Sequence, residues 1–511
     1  MRKGKAKQEI GTGVIFSYLN IFFQLLAYIL YTPVSLKYLG DSEYGVYSLC
    51  TSIMASLGVI EMGLSSAYLK YYVQYREEGG DSNKIAILNG MFICIFMVLG
   101  LIALGCGIFV ALYPIQVLGN KLTGAEILIA QRLLFILALN LCIMLIGVFF
   151  RTNIMANERY KMLKGVDALK TISNPFLGMI ALILGYRSVT LGILSLLITS
   201  FCVFVNARYC VKYLKLKLRF KDMEFGLLKK YFGFSFFIFL HTMMDQLNWQ
   251  IDKWLLARYA GSLAITVYTL GSQINTIFIK CSTAISEMFA AKVHVLIENN
   301  RDEELNSLFA KVGRVQIIVI LYIYYGFIIF GMAFLRFWAG EGYNNSYWVA
   351  VLLMTPIVIL LSQNLNIEIF RAYEKHRIQA VVNFGIGILN FIISIPLCKK
   401  YGELGCALGT MISMGLVYYP FTNFYIKRHT KINLKQFYTG ILRVFVATIV
   451  PVGIIWGVRH MIDIYRWEYF MSGLVVYSLL YFASIYFGAL KSVEREYLKR
   501  KLTGVRYDKK Y

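Results

Sequence analysis

The chain has 511 residues, of which 58% are hydrophobic and only 16% charged, with a mean hydropathy of +0.61. Soluble domains carry about 25% charged residues, so this composition excludes an ordinary water-soluble fold, and seven prolines are too few for a disordered chain. A formal net charge of +24 raises nucleic-acid binding, which the placement of the basic residues then removes.

Apolar runs of about 20 residues predict fourteen transmembrane helices, at about 11–32, 44–66, 85–112, 127–150, 164–185, 189–207, 231–256, 262–290, 315–335, 347–370, 378–398, 404–426, 439–458 and 468–490. The runs are continuous and not alternating, so the fold class is an all-α polytopic membrane protein and not a barrel. The first run follows the basic "MRKGKAKQEIGTG" without a small-residue cleavage pattern, and is expected to stay as a helix. With the N-terminus inside, the inner connections and termini hold 38 Lys and Arg and the outer connections 9, and every inner segment exceeds both outer neighbours. A missed or invented helix would invert that alternation from its position onward. The positive-inside rule therefore predicts fourteen helices with both termini cytoplasmic. The basic residues read as topology signals and contacts to anionic membrane lipids, with no nucleic-acid partner.

After the first helix, "KYLGDSEYGVYSL" (37–49) has an echo in "RYAGSLAITVYTL" (258–270), sharing Tyr38/Tyr259, Gly40/Gly261, Val46/Val267, Tyr47/Tyr268 and Leu49/Leu270. Both segments fall in an outer turn entering the second helix of a six-helix block. Six helices return the chain to the same face, so the two lobes are parallel repeats, as in one class of secondary transporters with a site near mid-membrane. The expected organisation is an N-terminal six-helix lobe (1–210), a basic cytoplasmic connector (211–230), a second six-helix lobe (231–430), two further helices (431–490) and a basic cytoplasmic tail (491–511). Through "VKYLKLKLRFK" the connector alternates apolar and basic residues, as a segment on the inner headgroups does.

Five basic residues lie within spans: Arg132, Lys170, Lys253, Lys280 and Arg443. Four are near span ends, where they either snorkel to headgroups or face a cavity. Lys280 lies about 15 Å deep, beyond a lysine's reach. In the seventh span, "HTMMDQLNWQIDKWLL" (241–256) sets His241, Asp245, Asn248 and Asp252 on one helix face. The 221-residue shift places Asn20, Gln24 and Tyr31 of helix 1 opposite His241, Asp245 and Asp252. A charge at a helix centre costs about 2.5–3.5 kcal/mol, so this stripe must face protein or a wet cavity. Asp245 and Lys280 form either a structural ion pair or part of that cavity, with Glu287 seven residues beyond Lys280 on the same face and nearer the inside. Glu61, Asp167 and Glu368 sit near inner ends, and Glu368 can pair with Arg371 at i+3. The sequence has no metal-binding histidine pair and no phosphate loop, and its nine cysteines read as buried apolar residues.

The predicted arrangement of six, six and two helices, with "YLGDSEYGVYSL", "EMGLSSAYLKYY" and "IDKWLLARYAGSLAITVYTLGSQI" (251–274), resembles the polysaccharide-transporter branch of the multidrug/oligosaccharidyl-lipid/polysaccharide exporter superfamily. The resemblance covers about 10–430. It implies a flippase that moves an undecaprenyl-pyrophosphate-linked oligosaccharide, such as an O-antigen or capsule repeat unit, across a bacterial plasma membrane by alternating access. On that reading Lys280 is the first candidate for pyrophosphate contact, followed by Lys253, Arg132 and Lys170, with Asn248 and Trp249 toward the sugar. Asp245, Asp252, Glu287 and His241 are candidates for ion coupling or gating. No cofactor is implied; the drive is the membrane potential or coupled protons or sodium ions. Polysaccharide polymerase and assembly proteins are the expected protein partners. Two other readings stand beside it. A cation-coupled drug antiporter of the same superfamily is opposed by the absence of Asp and Glu from 11–32. A membrane enzyme of polysaccharide assembly is opposed by the short outer loops.

Overall fold

The computed structural model describes residues 26–27, 29–78, 82–221, 243, 249–373, 376–459, 462–490 and 495. Among these every regular element is helical, and ten helices are long and apolar enough to cross a membrane by length and composition. The first half contains α1 (29–39), α2 (Asp41–Gly58), α3 (Ile60–Glu77), α4 (Ser82–Leu112), the short α5 (Pro114–Leu118), α6 (Gly124–Ala156), α7 (Tyr160–Ile183) and α8 (Ser188–Lys212). The chain continues with α9 (249–259), α10 (Ser262–Glu287), α11 (Ala290–Glu298), α12 (Asp302–Trp338), α13 (Asn344–Met354), α14 (Ile357–Ser362) and α15 (Leu365–Ala372). It ends with α16 (His376–Ile412), a π-helical turn (Ser413–Tyr418), α17 (Tyr419–His429), α18 (Leu434–Arg459), α19 (Trp467–Ser484) and a second π-helical turn (Ile485–Ala489).

The number fourteen turns on the spans expected at 11–32 and 231–256, most of which fall outside the described residues. The two spans expected at 378–398 and 404–426 lie in one helical run from Val381 to His429, broken at Gly402 by a left-handed backbone (φ 57, ψ −129). The span expected at 347–370 is divided into α13, α14 and α15; the first break falls at Pro356, which lacks the N–H that would continue the ladder. Several helices outrun their apolar segments. In α12, Asp302, Glu303 and Glu304 occupy the first turn and Arg336 the last, each favourable to the helix dipole.

The chain forms two compact units, one of Met1–Gln273 with Arg377–Ser413 and the other of Ile274–His376 with Met414–Tyr511. The lobe boundary expected in 211–230 runs into 222–230, outside the described residues. Ahead of it, the connector lies along α4: the Arg219 amide donates to the Ala86 carbonyl at 3.0 Å and Asn89 Nδ2 to the Lys217 carbonyl at 3.1 Å. A β-carbon at Gly90 would sit 2.3 Å from the Arg219 carbonyl oxygen, so only glycine admits this approach.

In the first unit the core gathers Tyr68, Phe92, Phe96 and Phe149, all fully buried. The Tyr68 hydroxyl donates to Asn89 (2.7 Å) and accepts from Asn153 (2.6 Å), which satisfies the one polar atom that the ring carries inward. In the second unit Tyr477 and Tyr481 play this part, donating to the carbonyls of Tyr322 (2.6 Å) and Ile318 (2.7 Å).

The repeat inferred from the 221-residue echo is visible in the contacts of the first unit. Ser48 and Thr269, 221 residues apart, touch each other through their hydroxyls at 2.9 Å. Lys253 Nζ donates to Ser52 at 3.0 Å, and Thr32, the repeat-mate of Lys253, donates to Gln273, the mate of Ser52, at 3.0 Å. A β-carbon at Gly45 would meet the Ser262 carbonyl oxygen at 2.2 Å, while Thr266, the mate of Gly45, donates to the carbonyl of Asp41, the mate of Ser262, at 2.5 Å. Tyr31 hydrogen-bonds Tyr47, as Asp252 does Tyr268. Paired contacts of this kind are the signature of a local two-fold relation. Gly40 and Gly261, which end α1 and α9, are likewise mates, both left-handed with φ 77 and φ 96. Pro175 of α7 and Pro396 of α16 stand at the same interval.

Candidate functional site

The first unit encloses a cavity of about 360 Å³ among α1, α2, α7 and α8. Its polar lining is Tyr31, Tyr47, Lys170, Thr171, Asn174 and Ser195. Lys170, Thr171, Asn174 and Gly178 fall at helical spacing on one side of α7, and Pro175 interrupts the helix beside them. Without a Pro175 N–H, the Thr171 carbonyl loses its helical partner. Gly178 lets the wall close: a β-carbon there would lie 2.9 Å from the Tyr31 ring. Asn140 Nδ2 reaches Ser195 at 3.3 Å and steadies the far side.

Among the described residues Lys170 is the charged group of the lining, and Asp167 and Glu61 act on it from nearby. Arg151 holds Asp167 through two hydrogen bonds, Nη2 to Oδ2 at 3.1 Å and Nε to Oδ1 at 3.4 Å. Glu61 lies in the field of both Arg151 and Lys170. The cavity thus offers a cation, an amide and hydroxyls, a set that complements an anionic or polyhydroxylated group.

A polar seam runs between α2 and the segment 249–273 of the same unit. Lys253 Nζ donates to Ser48 at 3.1 Å and to Ser52 at 3.0 Å. It is therefore held within the protein at a polar crossing, away from both the cavity and the headgroups, because the serine hydroxyls of α2 lie within its reach. Glu126 closes one end. "TGAE" (123–126) forms a capping box, in which the Thr123 amide donates to Glu126 Oε2 at 2.7 Å and the Glu126 amide to Thr123 Oγ1 at 3.4 Å. The other carboxylate oxygen accepts from both Ser42 and Ser262.

Asp252, beside Lys253 in the chain, is completely buried. Its Oδ2 accepts from Tyr268 and, at 3.0 Å, from Thr410, and Asn390 Oδ1 accepts from Ser394 at 3.0 Å one position further along. Asp252 Oδ1 and Asn390 Nδ2 have no hydrogen-bond partner among the described residues. Trp249 is half-buried on α9, and Arg132 and Glu287 are exposed. Lys280 is half-buried on α10, in the second unit. On another face of α10, Ser282 donates to the Leu361 carbonyl at 2.9 Å and accepts from Gln316 Nε2 at 3.3 Å. His241, Asp245 and Asn248 lie outside the described residues. Arg371 donates to Glu368 at 2.7 Å, the expected i+3 pair.

Sequence reasoning brought Lys170 forward but missed Thr171, Asn174 and Ser195 beside it. The signal available was the Asn-Pro dipeptide inside an apolar run. Glu126 was legible as a capping box; its bridging of Ser42 and Ser262 was not, because those residues come from distant segments.

The sequence profile of polysaccharide biosynthesis proteins matches residues 37–348, which takes in Lys170, most of the seam and Lys280. The chain belongs to that family. No curated protein is matched by sequence. Among solved structures, the lipid II flippase MurJ in an inward closed conformation aligns at TM-score 0.76 and 16% identity, covering 95% of this chain and 100% of that one. An inward-facing multidrug resistance MATE family transporter of the MOP superfamily aligns at 0.65 and 12% identity, covering 81% and 98%. The MATE multidrug transporter DinF-BH aligns at 0.60 and 14%, covering 83% and 96%. At these identities the likeness establishes the fold. This member of the polysaccharide biosynthesis family is a helical membrane protein with the MOP transporter fold.

Proposed function

We propose that the protein is a flippase that carries polyprenyl-pyrophosphate-linked oligosaccharide repeat units from the inner to the outer leaflet of the plasma membrane, by alternating access, with both termini cytoplasmic. The observation that carries this reading is a cavity of about 360 Å³, inside a membrane-spanning bundle, in which Lys170 is ringed by Asn174, Ser195 and two tyrosines. A pyrophosphate and its sugars cannot cross hydrocarbon, whereas the lipid tail need never leave it. The protein must therefore supply a polar lining for the head alone. Membership of the polysaccharide biosynthesis family supports the same class of cargo. Lys170 is the proposed pyrophosphate contact.

The seam between α2 and α10 is the part that must open in this cycle. It is held by hydroxyls, Lys253 and the Glu126 carboxylate; interhelical hydrogen bonds in membranes average about 0.6 kcal/mol each, and those to the charged groups cost most to part. An anionic head leaving an inside-negative cell gains about 2.3 kcal/mol per charge per 100 mV. Asp252, with Thr410 and Asn390 beside it, is the proposed place for a coupled proton or sodium ion. Anionic lipids contact the basic inner loops, and polymerase and assembly proteins receive the product.

Export of surface polymer in a strain dependent on this protein tests the reading. Lys170→Ala should reduce export more than tenfold at normal membrane abundance, with Lys170→Arg recovering part of it, while Arg132→Ala stays within about twofold of wild type. Full export by Lys170→Ala would refute the cavity as the path. Asp252→Asn should abolish any dependence of export on the proton or sodium gradient; an unchanged gradient dependence removes Asp252 from coupling.

A further inference from the structure

The turn after α12 carries a second polar cavity, of about 360 Å³, in the second unit. Arg336, Glu341, Tyr343, Asn344, Tyr347 and Tyr465 line it. The first five come from the end of α12, the turn and the start of α13; Tyr465 comes from the loop between α18 and α19. Charge alternation places both loops on the outer face, and they meet in one cavity.

The lining side chains engage one another and the wall behind them. Arg336 pairs with Glu341, and its guanidinium lies 5.1 Å from the centre of the Tyr465 ring. Tyr347 is 5% exposed, donates to the Ile328 carbonyl at 2.9 Å, and stacks on Phe327 with centroids 5.6 Å apart. Arg459 donates to the same carbonyl at 3.1 Å and ties α18 to this floor.

The corresponding turn of the first half has different surroundings. Gly340 has its mate in Gly119, and both turns are left-handed there, with φ 105 and φ 89. In the first half the turn is filled: Trp254 Nε1 donates to the Val117 carbonyl at 3.0 Å, Arg258 to that of Gln116 at 3.4 Å, and a β-carbon at Gly119 would lie 3.0 Å from Arg258. At Gly340 a β-carbon would meet nothing within 4 Å among the described residues. Where the first half places Glu126, the second has Tyr347, and Tyr465 belongs to helices outside the repeat.

From this chemistry we infer that the cavity formed by Arg336, Glu341, Asn344, Tyr347 and Tyr465 is an outer-face binding site for an uncharged saccharide. The paired Arg336 and Glu341 cancel in charge, which removes the attraction for a phosphate. Together they offer spare N–H donors and carboxylate lone pairs, the complement of neighbouring hydroxyls. The Tyr465 ring, 40% exposed, supplies an apolar surface for sugar C–H groups and a polar edge. The volume falls at the small end of the roughly 300–1,000 Å³ range of ligand pockets. The inference goes beyond the transport reading, since binding here needs no translocation, and it rests on that reading only for what the saccharide would be: the delivered head group.

The test is saturation-transfer NMR on the full-length protein in nanodiscs, using uncharged trisaccharides of hexose and N-acetylhexosamine units, with inorganic phosphate as the anion control. At least one trisaccharide should bind, Tyr465→Ala and Glu341→Ala should each weaken it about tenfold, and Tyr465→Phe, which keeps the ring, should retain it. Phosphate should neither bind nor compete. Absence of trisaccharide binding, binding indifferent to Tyr465→Ala and Glu341→Ala, or displacement by phosphate would each overturn the proposal. Lys170→Ala separates the two readings: saccharide binding should survive in it even where export is lost.

Discussion

At equivalent places in the two halves, Tyr31 meets Tyr47 beside a cavity, and Asp252 meets Tyr268 in a filled polar cluster. The backbone is the same in kind on both sides, with a left-handed glycine before the second helix and a proline inside the fifth. What differs is the lining: Lys170, Thr171, Asn174 and Ser195 have Phe391, Ile392, Ile395 and Leu416 at the same interval. The proline register sets Lys170 opposite Phe391, and Phe391 packs on Trp254 with centroids 6.3 Å apart. In the first half that volume is left open, and the lysine lines it. The same scaffold thus occurs twice, with a lysine-lined cavity at one place and a buried carboxylate at the other.

The sharpest way to break this comparison is at the shared crossing. Gly45→Val places atoms against a backbone oxygen 2.2 Å from the new β-carbon, and that carbonyl is fixed within α10. We expect loss of folded, monodisperse protein by size-exclusion chromatography, whereas Thr266→Ala at the mate position should be recovered at near wild-type yield. Normal recovery of Gly45→Val would show that the two segments do not cross as closely as described.

A smaller and more informative change copies one half into the other. Lys170→Phe should fill the cavity as Phe391 does, leaving the thermal midpoint in detergent unchanged or raised while export falls more than tenfold. Export near the wild-type rate would mean that the cavity is not used.

The smallest effects come from the mated hydrogen bonds. Lys253→Met removes two donors to Ser48 and Ser52 and should destabilise by about 1.7 kcal/mol, the upper end for interhelical bonds in a membrane. Thr32→Val, which removes one neutral bond to Gln273, should cost about 0.6 kcal/mol. Equal losses, read from denaturation in mixed micelles, would indicate that the lysine charge adds nothing to the seam.

Much of this architecture was legible in the sequence for one reason: in a bilayer the solvent imposes length, apolarity and charge sidedness on each segment separately. The repeat was legible because "YLGDSEYGVYSL" preserves spacing as well as residue type, and its 221-residue interval reappears in the Ser48–Thr269 contact. The i+3 pair of Arg371 and Glu368 is local and was equally readable. The site was less so. Depth arguments sort charges by distance from a span end, and they placed Lys253 within reach of headgroups or a cavity; neither reading foresaw a pair of serines on another helix. Thr171, Asn174 and Ser195 look like ordinary polar residues of an apolar helix until a void is found next to them.

The sequence by itself determined a helical membrane protein, the parallel repeat and the candidate cations, because hydropathy, charge bias and internal echo are properties of segments taken one at a time. Only the tertiary structure decided which polar groups border space and which are consumed by neighbours. Lys170 lines a cavity and Lys253 does not, and Gly340 opens a turn that Gly119 closes. The physical reason is that a void is defined by what fails to fill it, and the residues that fill or fail lie hundreds of positions away.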